Sequence, residues 1–414
     1  MAIQLTNVSN ALKTVLLPYI RDNFPKQKPL LDQLKRNSGT TFMNGNFYAP
    51  IRTGRHSGIV NLANDGSTLR SGSSTIGQAT VAVKIMTGTF DITKLTLDAT
   101  ETKEGAVENM LTFQADSLMS DMAKDLNRQF MGDGIGVLSE VVGSVGEGTM
   151  SIGVKTSSCD DGRTNDNYGT INGDISPSEY LFVGQGIGIG TAGADVGTIS
   201  SITGNTVILT GAPGIAANDA IYRVDGDEAG AGTSEITGMR AALSSSTGTS
   251  TYAGVARSTS GWTPQVGTAA EALTMSAMEQ RYLAAKKYAQ TGDRYAIFVN
   301  ITLYKKYGDV LTSMRRVVTE TDLLGGWTGL EFAAGAGKVG VFLDYDVPDG
   351  EVLILNLDTF TIAQVSDLSW SEEPGTGSLL RQVNTLKYQA TMHWFMNLLC
   401  LCPAANGRLT QKTA

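Results

Sequence analysis

Histidine and cysteine are scarce in this chain of 414 residues, which holds only two histidines and three cysteines. Cys159, Cys400 and Cys402 do not make a disulfide framework. Cys400 and Cys402 stand in an apolar stretch, where cysteine behaves as a small hydrophobe. That usage points to a reducing compartment. With no second Cys/His pair, a tetrahedral zinc site is left incomplete, and no cofactor is expected. Charged residues are also sparse, at 17%, which argues against long charged helices. No stretch approaches the roughly 18–20 apolar residues of a membrane span, so no membrane partner is expected. The opening "MAIQLTNVSNALKTVLLPYI" is broken by Asn10, Lys13 and Pro18 and lacks the continuous apolar core of a secretory signal. The chain is expected to be made and kept in a cytoplasm.

What is present favours a large globular α+β protein. Apolar residues make up 41% of the chain, enough for a sizeable core, and 48 glycines favour many turns and strands. The net charge of −8 is uneven. Residues 146–225 hold nine acidic against three basic residues, a net of −6. Residues 1–41 hold Lys13, Arg21, Lys26, Lys28, Lys35 and Arg36 against Asp22 and Asp32, a net of +4. An acidic chain is a poor candidate for a dedicated duplex-DNA binder, because phosphate neutralisation supplies most non-specific affinity.

Motifs that carry chemistry fail on inspection. His393 stands in an apolar strand and reads as a sheet residue, while His56 lies in a Gly/Ser-rich loop. Gly188, Gly190 and Gly193 satisfy GxGxxG, yet a strand pattern follows where a dinucleotide site needs a helix. "GAGK", Gly335 to Lys338, ends like a phosphate loop, but Val339 replaces the magnesium-binding hydroxyl. "CDDGRTNDN", Cys159 to Asn167, has oxygen ligands for calcium without the EF-hand order, and reads as a solvated acidic loop. Arg52 with Arg55, and Arg315 with Arg316, suit either plain surface or contact with a neighbouring acid or nucleic acid. No nucleophile, base and orienting group can be nominated together, so an enzyme is the weakest reading and none is expected.

The chain order reads as arm, ribbon, helix, inserted β unit and α/β core. Residues 1–41 form an arm, interrupted by Pro25 and Pro29, with no core of its own. Residues 42–97 read as a long two-stranded excursion with a loose tip. There Val81, Val83 and Ile85 alternate, and after Gly88 the apolar phase shifts to Phe90 and Ile92 and then to Leu95 and Leu97, as a bulge or kink requires. A continuous helix is expected from Thr100 to Met131, capped by Asp98 with Glu101 and stopped at Gly132. Val107, Leu111, Leu118, Met122, Leu126 and Phe130 fall mostly on one apolar stripe, as suits a spine laid on a sheet, and Gly105 is its one weak point. Residues 142–226 read as a small β-barrel or sandwich, with a hairpin turning at Thr203 to Thr206. Then "TMSAMEQRYLAAKKYAQTGD" is helical with Met278, Tyr282, Leu283 and Ala285 inward, "RYAIFVN" is a buried strand, and "ITLYKKYGDVLTSM" is a second helix. "GKVGVFLDYDVPDGEVLILN", Gly337 to Asn356, reads as two buried strands joined by a Pro-Asp-Gly turn.

This order of parts resembles the major capsid protein family of tailed bacteriophages, the Hong Kong 97-type fold. "GDRYAIFVNITLYKKYGDV" looks like the family's axial strand and helix, "GKVGVFLDYDVPDGEVLILN" like its next strand pair, and "TMHWFMNLLCLCPAANGRL" like its terminal strand. The resemblance implies an N-terminal arm at 1–41, an E-loop at 42–97, and a spine helix with part of the peripheral domain at 98–141. It further implies an inserted β-barrel-like domain at 142–226, a mainly axial domain at 227–357, peripheral strands at 358–398 and a C-terminal return at 399–414. It also implies hexamers and pentamers in a virion shell around double-stranded DNA, with a portal protein, a separate scaffolding protein and a possible decoration protein as partners. Inter-subunit contacts are expected at Phe24, Phe42, Phe47, Tyr48, Arg52, Arg55, Arg70, Lys84, Arg315 and Arg316, and an inner-face basic arm at Lys13, Arg21, Lys26 and Lys28. Some members crosslink through an E-loop lysine, but Arg52 to Gln78 contains none. An encapsulin-type cellular shell shares the fold, and an adhesin acting through the β insertion is a further alternative.

Overall fold

The computed structural model describes residues 30, 33–37, 41–61, 71–101, 110–134, 136–146, 149–153, 180–189, 195–204, 206–210, 220–223, 235–244, 251–259, 261–269, 271–290, 293–313, 320–323, 327–334, 337–348, 350–372 and 379–413. The chain divides into two compact units. One takes Met1–Lys28, Val83–Asn127 and Gln364–Met396; the other takes Pro29–Ala82, Arg128–Ala363 and Asn397–Ala414.

The ribbon belongs to the second unit. Strands β1 (Asn46–Arg52) and β2 (Ile76–Ala82) pair antiparallel, and Thr41–Met43 adds a third strand against β1. Asn44 and Gly45 join that outer hairpin with φ of 51° and 75°, the left-handed pair of a tight hairpin turn. The ribbon has a buried face of its own, made by Phe47, Ala49, Ala79 and Val81. The two-stranded reading ends at Ala82, short of the expected Leu97. Strand β3 (Lys84–Thr93) pairs instead with the long strand Lys387–Cys400. Leu95 and Leu97 mark a change from strand to helix rather than a bulge, because helix α1 (Lys94–Glu101) begins directly after β3.

In the first unit β3 runs beside the long strand from Lys387↔Thr93 to Met396↔Lys84. Ala390, Met392, Trp394 and Met396 alternate inward from it, as a half-buried strand requires. Helix α2 (Met110–Met131) packs against β3 through Leu118 and Met122. Gly88 permits that approach: a Cβ there would lie 2.6 Å from Met122 Sδ and 2.9 Å from Leu118 Cδ1. The expected helix start is corrected. Thr93 Oγ1 accepts from the Thr96 amide at 3.2 Å and caps α1, while Asp98 lies inside α1 and pairs with Lys94 one turn back at 2.7 Å. Gly105 and Val107 are outside the described residues. The stop at Gly132 holds, with its amide donating to Arg128 and Gln129 carbonyls at 3.0 and 3.1 Å.

The second unit is built on a seven-stranded mixed sheet in the order Gln265–Gly267, Gly407–Leu409, Val352–Asn356, Tyr295–Val299, Gly337–Leu343, Trp327–Ala334, Glu320–Leu323. The strands on either side of the Pro-Asp-Gly turn are not neighbours. Tyr295–Val299 lies between them, parallel to Gly337–Leu343 and antiparallel to Val352–Asn356. Continuous burial of Ala296 to Val299 and of Val352 to Leu355 gives these strands unbroken apolar runs instead of alternation. Between α2 and this sheet in sequence lies the short helix α3 (Met239–Ala242). Helices α4 (Met275–Lys286) and α5 (Ile301–Ser313) supply Met278, Tyr282, Leu303 and Tyr307 to the same core as Ile297, Phe332 and Val341. Leu283 points outward, correcting its expected place in the core; it follows Tyr282 on the helix and faces the other side.

The same unit holds a closed six-stranded barrel of Val137–Gly146, Thr149–Gly153, Gly186–Ile189, Asp195–Thr203, Thr206–Thr210 and Ala220–Arg223. Leu138, Met150, Ile152, Ile187, Ile199, Val207 and Ile221 fill it. Its hairpin turns where Thr203 pairs with Thr206, with Gly204 at φ 58°. Gly188 lies in a barrel strand, and the next described residues, Asp195–Thr203, are again a strand. The long strand ends at Cys400, and Cys402 lies in the loop before Pro403.

Candidate assembly surfaces

The described part of the ribbon presents apolar side chains to solvent. Phe42 is 47% exposed, Met43 56%, Ile59 76% and Ile76 74%. The Phe42 ring lies 5.6 Å from that of Phe47, but Phe47 is fully buried in its own chain. In the single chain that ring serves the ribbon's own inner face. Tyr48 is half-buried; Arg52 and Arg55 are exposed, and Arg52 Nε donates to the Gly54 carbonyl at 3.1 Å. Lys84 is half-buried at the start of β3. Phe24, Arg70, Arg315, Arg316, Lys13, Arg21, Lys26 and Lys28 lie outside the described residues.

Buried polar groups, invisible to sequence patterns, tie distant segments of the second unit together. Asn397 gathers three segments of the second unit. Its Nδ2 donates to the Ala82 carbonyl at 2.6 Å, and its Oδ1 accepts from the Thr237 and Leu398 amides at 2.9 and 2.8 Å. Below α3, Glu351 receives Arg408 through both carboxylate oxygens and Arg240 at 3.2 Å. All three are buried. Burial pushes the Glu351 carboxyl up, but the two guanidinium groups prevail and hold it below the usual carboxylate range. Arg128, at the end of α2, pairs with Glu235 and lies 5.9 Å from the centre of the Tyr180 ring. Arg257 donates to the Ala242 and Ala241 carbonyls at 2.7 and 2.6 Å and lies over Tyr252.

Chemistry is not assembled among these groups. His393 is half-buried in the long strand with its ring 5.1 Å from Phe395, and His56 Nδ1 accepts from the Gly58 amide at 3.1 Å in the exposed tip. Among the described residues, no three His, Cys, Asp or Glu side chains could hold a metal, and no helix is long and apolar enough to cross a membrane.

No protein-family model and no curated protein matches the chain. Solved structures do match. The capsid asymmetric unit of cyanophage A-1(L) superposes with a TM-score of 0.55 at 12% identity, over 99% of this chain and 99% of that one. The chain has the fold of tailed-phage capsid proteins. The same capsid fold is matched in the holo-SrpI encapsulin complex from Synechococcus elongatus PCC 7942, with a TM-score of 0.50 and 8% identity over 100% of this chain and 96% of that one.

Proposed function

We propose that this chain is the major capsid protein of a tailed bacteriophage, assembling as hexamers and pentamers into an icosahedral head around double-stranded DNA. The observation that carries the reading is the end-to-end correspondence with a phage capsid chain, 99% of each, with no large part left over on either side. The exposed apolar side chains of the ribbon support it, since such surface is costly unless a partner covers it. On this reading the protein is structural and performs no catalysis. The locally basic arm at 1–41 faces packaged DNA, and the acidic segment at 146–225, which supplies barrel strands, faces outward where it does not repel phosphate. Portal, scaffolding and decoration proteins are the partners such a head requires or admits, and synthesis takes place in a bacterial host.

A second reading, an encapsulin-type cellular shell, is favoured by the match to the encapsulin complex. Particles isolated from the native source separate the two. Nuclease-protected duplex DNA supports the phage head, whereas enclosed protein without DNA supports the cellular shell.

A further inference from the structure

Three Asn-Gly dipeptides occur in the chain, at Asn44, Asn172 and Asn406, and the two among the described residues stand in opposite surroundings. The amide nitrogen of the following residue can attack an asparagine carboxamide, and glycine permits this most readily because it has no side chain to obstruct the approach. Asn406 is buried, and its carboxamide is engaged at both ends. Its Oδ1 accepts from the Asn356 amide at 2.7 Å, and its Nδ2 donates to Thr359 Oγ1 and to the Cys402 carbonyl, both at 3.0 Å. Gly407 beside it is buried in the seven-stranded sheet, between Gln265 and Ile354.

Asn44 is the reverse case. Both Asn44 and Gly45 are exposed, in the two-residue turn between Met43 and Asn46. The Asn44 main-chain carbonyl accepts from Asn46 Nδ2 at 3.2 Å, but among the described residues neither the Asn44 carboxamide nor the Gly45 amide has a hydrogen-bond partner. Nothing lies within 4 Å of the place where a Gly45 side chain would begin. The Gly45 nitrogen reaches Asn44 Cγ only when the turn opens, and little holds it shut. Thr41–Met43 is a three-residue strand at the ribbon's edge, paired only with β1, and Phe42 and Met43 are both exposed. Short exposed edges of this kind open at low free-energy cost.

We propose that Asn44 is a self-modification site, where the chain converts its own asparagine into aspartate and isoaspartate with water as the co-reactant. The Gly45 amide gives up its proton and its nitrogen bonds to Asn44 Cγ. The Cγ–Nδ2 bond breaks, ammonia leaves carrying that proton, and a succinimide ring is closed between the two residues. Water then opens the ring. Hydrolysis of the N–Cγ bond gives aspartate, whereas hydrolysis of the bond to the main-chain carbonyl carbon leaves the chain running through Cβ and Cγ, as isoaspartate. Isoaspartate adds a methylene to a turn that the Met43↔Asn46 register closes with two residues, and so releases Thr41–Met43 from β1. Either product also places a carboxylate beside the exposed Phe42 and Met43.

Incubation of the full-length protein at neutral pH, then digestion in mild acid and mass spectrometry with an isoaspartate-specific methyl-transfer assay, tests it. The Asn44 peptide should lose its carboxamide about 10-fold faster or more than the Asn406 peptide, and faster still as pH rises, because the deprotonated Gly45 amide is the nucleophile. Amide exchange across Thr41–Met43 should quicken as isoaspartate accumulates. Asn44→Gly suits the left-handed turn and removes the carboxamide, so its Thr41–Met43 amides should keep their exchange rate through the same incubation. An Asn44 peptide that stays unmodified, or that changes no faster than the Asn406 peptide, overturns the proposal. Equal loosening of Thr41–Met43 in Asn44→Gly overturns the release of that strand by isoaspartate.

Discussion

Tyr180 donates its hydroxyl hydrogen to Asp346 at 2.6 Å. Tyr180 stands just before the barrel strand Gly186–Ile189, and Asp346 lies in the connection between Gly337–Leu343 and Val352–Asn356. One charge-assisted bond therefore ties the barrel entrance to the seven-stranded sheet. Tyr180→Phe should weaken the barrel locally by about 1–2 kcal/mol. Faster amide exchange in the barrel strands, with the sheet unchanged, is the expected result.

The buried Arg240–Glu351–Arg408 cluster makes stability depend on acid. Glu351 has a folded pKa below its unfolded value. Its contribution is thus fully present above the ordinary carboxylate range and is lost as pH falls through the folded value. Thermal melts from neutral pH to about pH 3 should show a shallower loss for Glu351→Gln than for the natural chain. At neutral pH, Glu351→Ala should cost about 3–5 kcal/mol, because both arginines keep their charges in a buried site.

Gly238 and Gly308 should respond oppositely to alanine. A Cβ at Gly238 would overlap the main-chain carbonyl oxygens of Gly132 and Gln129, which cannot rotate away. The expected loss is about 3 kcal/mol. Gly308 lies within α5 with nothing within 4 Å of an added Cβ, so Gly308→Ala should gain about 0.5–1 kcal/mol. Chemical denaturation of the two variants checks both signs.

Cys400 should resist thiol reagents. Burial pushes its pKa up to about 12, leaving almost no thiolate at neutral pH. Labelling with a maleimide at pH 7, read by mass spectrometry, should leave Cys400 unmodified until the chain is unfolded. The lysine-free stretch Arg52 to Gln78 makes a parallel prediction for particles: a denaturing gel should show one single-chain band and no covalent ladder.

Local chemistry explains which parts of the fold were legible. The strand Tyr295–Val299, helices α4 and α5 and the hairpin around Gly204 announce themselves through periodicity and turn residues. The switch at Thr93 does not, because a threonine cap in a β-branched run reads as more strand. Asn44–Gly45 is a turn dipeptide that places the third strand of the ribbon. Strand order across the sheet depends on contacts between distant segments, so the insertion of Tyr295–Val299 beside the Pro-Asp-Gly connection leaves no local trace. Glu351, Asn397 and Tyr180 were missed for the same reason. Each has partners more than a hundred residues away as well as, for Glu351, one at 57.

Electron microscopy of the purified recombinant protein, with sedimentation to size the species, tests the capsid reading most directly. Closed shells, or rings of five and six subunits, are the predicted result. A protein that remains monomeric at every concentration and salt condition, with or without a scaffolding partner, would contradict it.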